Sequence, residues 1–93
     1  MNIEEMDLER RVGRYAALAD PARLRIADLL TLGDRSPSEL QDALGISSSL
    51  LAHHLGTLEQ AGFLLRHRSE ADRRRSYVSL VPGAFDRLTP HPA

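Results

Sequence analysis

The chain has 93 residues, enough for one small domain, and an ordinary globular balance of 42% apolar and 27% charged residues with a net charge of −1. No apolar run approaches the ~20 residues that a membrane span needs, and the acidic start Asn2-Ile3-Glu4-Glu5 lacks the basic and apolar regions of a signal peptide. The absence of cysteine excludes disulfides, thiolate metal sites and thiol redox chemistry, so a cytoplasmic location is expected.

Glu4 to Ala19 reads as a first helix, because Leu8, Val12, Tyr15, Ala16 and Ala19 fall on one stripe. Asp20-Pro21 ends it and begins the next: the carboxylate can cap, and proline suits the first helical position. The second helix is expected from Pro21 to Leu32, with a broad apolar face of Leu24, Ile26, Ala27, Leu29 and Leu30. Gly33-Asp34 stops it. Ser36-Pro37-Ser38-Glu39 then has the form of a capping box. The short third helix should turn Leu40, Ala43 and Leu44 inward.

Gly45 is placed as a turn residue, with Ile46 plugging the turn. Ser47 should cap a fourth helix from Ser48 to Ala61 that buries Leu51, Leu55 and Leu58. After Gly62 the period changes to two, over Phe63–Ser69 and Ser76–Val81. Tyr77 is expected half-buried on the second strand. The polar stretch between, Glu70 to Arg75, makes the pair a hairpin with a charged tip. The fold expected is mainly α with a β-hairpin, a winged helix-turn-helix over residues 1–81. Residues 82–93, with three prolines, are expected to be a tail or linker, with one helical turn around Ala84–Leu88.

A short helix, a glycine turn and a longer capped helix can place the second helix in the major groove of DNA. With Leu51, Leu55 and Leu58 facing inward, Ser48, Ser49, Ala52, His53 and Gly56 should face out. Ser47 and Ser48 lie at the helix N-terminus, which suits a phosphate. Ser49 and His53 suit base edges, and Ala52 suits a thymine methyl. Arg73, Arg74 and Arg75 at the hairpin tip suit backbone phosphates. Residues 1–44 hold nine acidic and six basic residues, whereas residues 45–93 hold four and six. All the basic residues are arginine, as a GC-rich genome would also produce.

Three ordered blocks resemble the ArsR-type repressor family. They are Leu18-Ala19-Asp20-Pro21-Ala22-Arg23-Leu24-Arg25-Ile26, then Ser47 to Leu55 with Leu58-Glu59-Gln60-Ala61-Gly62-Phe63, then the wing Arg73 to Leu80. The resemblance implies a homodimeric repressor that leaves its double-stranded DNA operator when an inducer binds. Dimer contacts are expected from Leu8, Val12 and Tyr15, and from the tail. The departures are as informative. Metal-responsive members place cysteines where Ser36 and Ser38 stand here, and a serine hydroxyl is a poor ligand for soft ions. Other members bind zinc on a fifth helix, which is missing here or reduced to residues 82–93. Gly56 stands at a commonly basic position and costs about 1 kcal/mol relative to alanine within a helix.

His53 and His54 point about 100° apart on a helix and cannot share a metal. His54 should pack against the protein, and His53 should face solvent or DNA. His67 is on a strand and His91 in the tail. No catalytic residue, metal site or cofactor is expected, and the effector is unidentified. Two alternatives stay open at this point. The domain could be the N-terminal regulatory part of a larger fused protein, such as a low-molecular-weight phosphatase or arsenate reductase. It could also be a winged-helix module for protein contacts.

Overall fold

A computed structural model describes residues 2–90. The elements follow in the order α1 (Ile3–Leu18), α2 (Pro21–Thr31), α3 (Pro37–Leu44), α4 (Ser48–Gln60), β1 (Leu64–Arg68), β2 (Ser76–Leu80) and a 3-10 turn (Ala84–Leu88). His91 and the rest of the expected linker, residues 91–93, lie outside the described residues.

Local chemistry sets the helix starts. The Asn2 side chain accepts from the Glu5 N–H, and Glu4 and Glu5 place negative charge at the positive end of α1. The Asp20 carboxylate accepts from both Ala22 and Arg23 N–H groups, and Pro21 opens α2 without a donor to satisfy. The capping box at α3 is complete. Ser36 Oγ accepts from Glu39 N, and Glu39 Oε1 accepts from Ser36 N. Gly45 ends α3 in the left-handed conformation, at φ 66° and ψ 36°, which an L side chain adopts only with strain.

The core lies where α2, α3 and α4 meet the hairpin. Ile26, Leu40, Leu55, Leu58, Phe63 and Val78 are its largest fully enclosed side chains. The strands pair antiparallel, with Leu64 opposite Leu80 and Arg66 opposite Val78, so Leu64, Val78 and Leu80 share the inward face. A third strand-like contact joins them. Arg35, between α2 and α3, exchanges two backbone hydrogen bonds with Val78, at 3.1 and 2.7 Å. Residues 82–90 lie against the body: Ala84 is buried, and Phe85 meets Phe63 with ring centroids 5.8 Å apart.

Several inward expectations fail. Ala43 is exposed and Leu24 is 46% exposed, while Leu40 is fully buried and Leu44 half-buried. An eight-residue helix against two neighbours has room for a narrower inward stripe than the spacing Leu40-Ala43-Leu44 suggests. On α1 the buried residue is Ala17. The stripe Leu8, Val12, Tyr15, Ala16 and Ala19, for which no inward face is expected, is exposed. Small residues there let α1 approach the core closely, which leaves its bulky side chains pointing away.

Truncating Leu40 to alanine should therefore cost about 2–5 kcal/mol in denaturant unfolding, whereas Ala43→Ser should change stability by less than about 0.5 kcal/mol. The caps set a second expectation. Backbone N–H donors hold the carboxyls of Asp20 (chiefly from Arg23) and Glu39 (chiefly from Ser36) below their ordinary values. A carboxyl depressed in the folded state stabilises it above the unfolded pKa, and that contribution disappears as pH falls through the folded pKa. Stability measured against pH should fall on the acid side below the ordinary carboxylate range. Asp20→Asn, which keeps a capping oxygen, should flatten that fall.

Candidate nucleic-acid interface

Helix α4 is held along one face and bare along the other. Leu51, Leu55 and Leu58 are buried, whereas Ser48, Ser49, Ala52 and His53 are exposed. Ser47 Oγ caps the helix by accepting from Leu50 N, and its carbonyl accepts from Leu51 N. The turn before it is braced from α3, where Gln41 Nε2 donates to the Ile46 carbonyl. Gly56, expected to face outward, is only half-exposed.

Adjacent histidines take opposite roles. His53 is exposed. His54 is 7% exposed, and its Nδ1 lies 3.1 Å from Arg23 Nη1. A guanidinium can only donate, so Nδ1 is the acceptor and the ring proton sits on Nε2. Arg23 Nε also donates to the Ala17 carbonyl at 2.7 Å. One side chain of α2 thus joins the end of α1 to the middle of α4. The sequence reading missed this link, although Arg23 stands in a block that resembles the family. The pair Arg35–Val78 was missed as well, since a single bridge residue shows no alternation.

The hairpin tip is shaped around Asp72. Arg75 N donates to the Asp72 carbonyl, closing a turn with Arg73 and Arg74 at its centre. Asp72 Oδ1 accepts from both the backbone N and the Nε of Arg74, and Oδ2 lies 3.8 Å from Arg75 Nε. Among the described residues Arg73 has no ion pair, and its carbonyl accepts from Arg68 Nη1. All three arginines are exposed. Below the tip, Arg74 and Arg75 line a groove with Ser36 and Ser38 at the start of α3.

On the other strand face His67 Nε2 lies 2.7 Å from Ser79 Oγ and 3.3 Å from Asp34 Oδ2, with its ring stacked on the half-buried Tyr77. Among the described residues no three His, Asp or Glu side chains form a group able to hold a metal ion. No helix there is long and apolar enough to cross a membrane. The expected dimer residues Leu8, Val12 and Tyr15 are exposed, and the Tyr15 hydroxyl donates to the Leu88 carbonyl at 3.3 Å.

Comparison with known proteins agrees with this geometry. A helix-turn-helix domain model matches residues 18–67. The transcriptional repressor SdpR of Bacillus subtilis is 37% identical over 54 residues, covering 58% of this chain and 60% of SdpR. The crystal structure of Rv0081 of Mycobacterium tuberculosis superposes with a TM-score of 0.74 at 34% identity, over 87% of this chain and 80% of that one. A crystal structure of an ArsR family transcriptional regulator gives a TM-score of 0.74 at 25% identity, over 86% and 79%. The chain belongs to the helix-turn-helix domain family, and it shares its fold with a regulator of the ArsR family. The match spans between about half and 60% of the length of the curated relatives SdpR and Rv0081.

Within this helix-turn-helix frame, His54 belongs to the scaffold. His54→Ala should lower stability by about 1–3 kcal/mol, because it leaves a half-buried arginine donor without its partner. Thermal unfolding checks this, and a melting temperature equal to that of the parent protein would count against the assignment.

Proposed function

We propose that the protein is a double-stranded DNA-binding transcriptional repressor working as a homodimer in the bacterial cytoplasm, a regulator and not a catalyst. One observation carries the reading. The recognition helix is anchored by its leucine face, and the opposite face presents small and polar side chains starting at a capped N-terminus. Ser47 and Ser48, beside the helix N-terminus, are assigned to a phosphate. Ser49, Ala52 and His53 lie at i, i+3 and i+4, one contiguous face, and are assigned to base edges. Arg73, Arg74 and Arg75 are assigned to backbone phosphates flanking the groove.

The dimer is assigned to α1. Leu8, Val12 and Tyr15 form an exposed apolar stripe at i, i+4 and i+7, and a two-fold protein suits a two-fold operator. The effector is not a soft metal ion bound by this chain's own residues, because Ser36 and Ser38 offer only hydroxyls where thiolates would be needed.

The test is selection of bound DNA from a random pool, followed by titrations on the selected site and on random DNA. His53→Ala should cost about 1–3 kcal/mol on the selected site and much less on random DNA. Replacing Arg73, Arg74 and Arg75 together by alanine should weaken both, and should flatten the slope of log affinity against log salt by about 1–2, at roughly 0.9 for each phosphate contact. Failure to bind any selected DNA would overturn the reading.

A further inference from the structure

A strongly basic recess lies away from the face assigned to DNA. It is a groove of about 660 Å³ between α1 and the C-terminal half of α4. Three guanidiniums line it, from Arg10, Arg14 and Arg23, and among the described residues no carboxylate does. Among the described residues none of the three makes an ion pair within 4.0 Å. A fourth, Arg87, stands at the rim: its Nη1 is 3.3 Å from where a Cβ on Gly62 would sit. Gln60 adds an amide, whereas the Thr57 hydroxyl already donates to the His53 carbonyl, and Gly13 leaves the α1 side open, since a Cβ there would meet nothing within 4 Å.

Two of these arginines are already oriented. Arg14 Nη1 donates to the Arg87 carbonyl at 2.9 Å, and Arg23 Nε donates to the Ala17 carbonyl at 2.7 Å. Each guanidinium has five N–H donors, so most remain available. The nearest carboxylates line a neighbouring groove or pair with another arginine. Asp7 and Asp86 line the adjoining groove on the far flank of Arg10 and Arg14, and Glu59 lies 3.6 Å from Arg66. Like charges gathered in a recess repel unless a counter-ion joins them, and the recess focuses their field on whatever enters.

The geometry points to this groove as a binding site for a small, multiply charged oxyanion, a di- or tricarboxylate or a phosphate ester, that acts as an effector. Fork-shaped guanidiniums suit the paired oxygens of such groups. The link to α4 is Arg23, which also holds His54 Nδ1. An anion bound to the free Arg23 donors pulls on the same guanidinium that holds His54, so occupancy of the groove and the seating of α4 are coupled. Thr57 lies eight residues past Ser49, about 12 Å along the helix axis, so the anion and the bases would not share a site. The binding claim stands without the DNA reading, and only the effector role rests on it.

Calorimetry and thermal melting of the full chain with citrate and with pyrophosphate, at constant ionic strength set by chloride, test the site. Saturable binding of one anion per chain is expected, with a rise in melting temperature. Gly13→Glu brings a carboxylate into open space in the groove and suits a helix better than glycine, so the fold should hold while affinity falls at least tenfold. Arg10→Gln with Arg14→Gln should do the same, and Arg74→Ala with Arg75→Ala should leave binding unchanged. Response to one probe alone would identify the anion class and support the site. No saturable binding of either, equal binding by Gly13→Glu, or loss only in the wing variant would overturn it. DNA titrations separate the remaining cases. Weaker DNA binding by the groove variants without any anion would make the groove a DNA phosphate contact and overturn the effector site. Citrate binding by a protein with no DNA affinity would keep the site and remove the repressor.

Discussion

The roll of α4 about its own axis decides which residues it can present, and the Arg23 side chain is the polar contact that sets it. Arg23 begins on a backbone N–H that caps onto Asp20, and ends on the Ala17 carbonyl and His54 Nδ1. Its stem therefore runs from the start of α2 to both neighbouring helices. Leucine packing alone tolerates some rotation, because apolar contacts are non-directional. A hydrogen bond to one ring nitrogen does not. With His54 fixed inward, its neighbour is carried about 100° around the helix, and His53 faces solvent for that reason.

Helix α1 is built on different terms. It buries only Ala17 outright, yet it is the longest helix of the chain. Its position comes from the close approach of small residues and from polar reach: Arg14 and Tyr15 donate to the carbonyls of Arg87 and Leu88. Those bonds tie the start of the chain to its end across the outside of the domain. Bulky apolar surface is thereby left facing outward. Ile3, Val12 and Tyr15 are each more than half exposed, a pattern that a small domain with a modest core can resolve by burying them against a second copy.

The sequence was most legible where one residue type answers one local need. The capping box at Ser36, the caps at Asp20 and Ser47, the left-handed Gly45 and the change of period after Gly62 each placed an element boundary to within about a residue. It was less legible where burial depends on neighbours. Ala43 and Leu24 carry apolar side chains on helical spacing but stay exposed, and spacing cannot show that. The Arg35–Val78 bridge and the Arg23–His54 bond span 43 and 31 residues and leave no periodic trace. On the wing, the run of arginines was evident, but the way Asp72 divides them was not. The carboxylate selects Arg74 and Arg75 because it must also reach the Arg74 backbone to shape the turn.

That division explains how a tip can be both ordered and available. Charges more than about 10 Å apart are largely screened at 0.1 M salt, so the net charge of −1 says little about what a phosphate would meet locally. Near the tip the balance is set by Arg68, Arg73, Arg74 and Arg75 against Glu70 and Asp72. The pairs that Asp72 makes are exposed, and such pairs contribute only about 0–1 kcal/mol. A phosphate can replace the carboxylate at the side chains for little. The backbone bonds from Arg74 and Arg75 to Asp72 do not depend on those ion pairs, so the turn keeps its shape as its side chains change partners. The order of the tip is thus carried by main-chain donors, one of them held by the Asp72 carboxylate, and the arginine side chains are left to respond to what approaches.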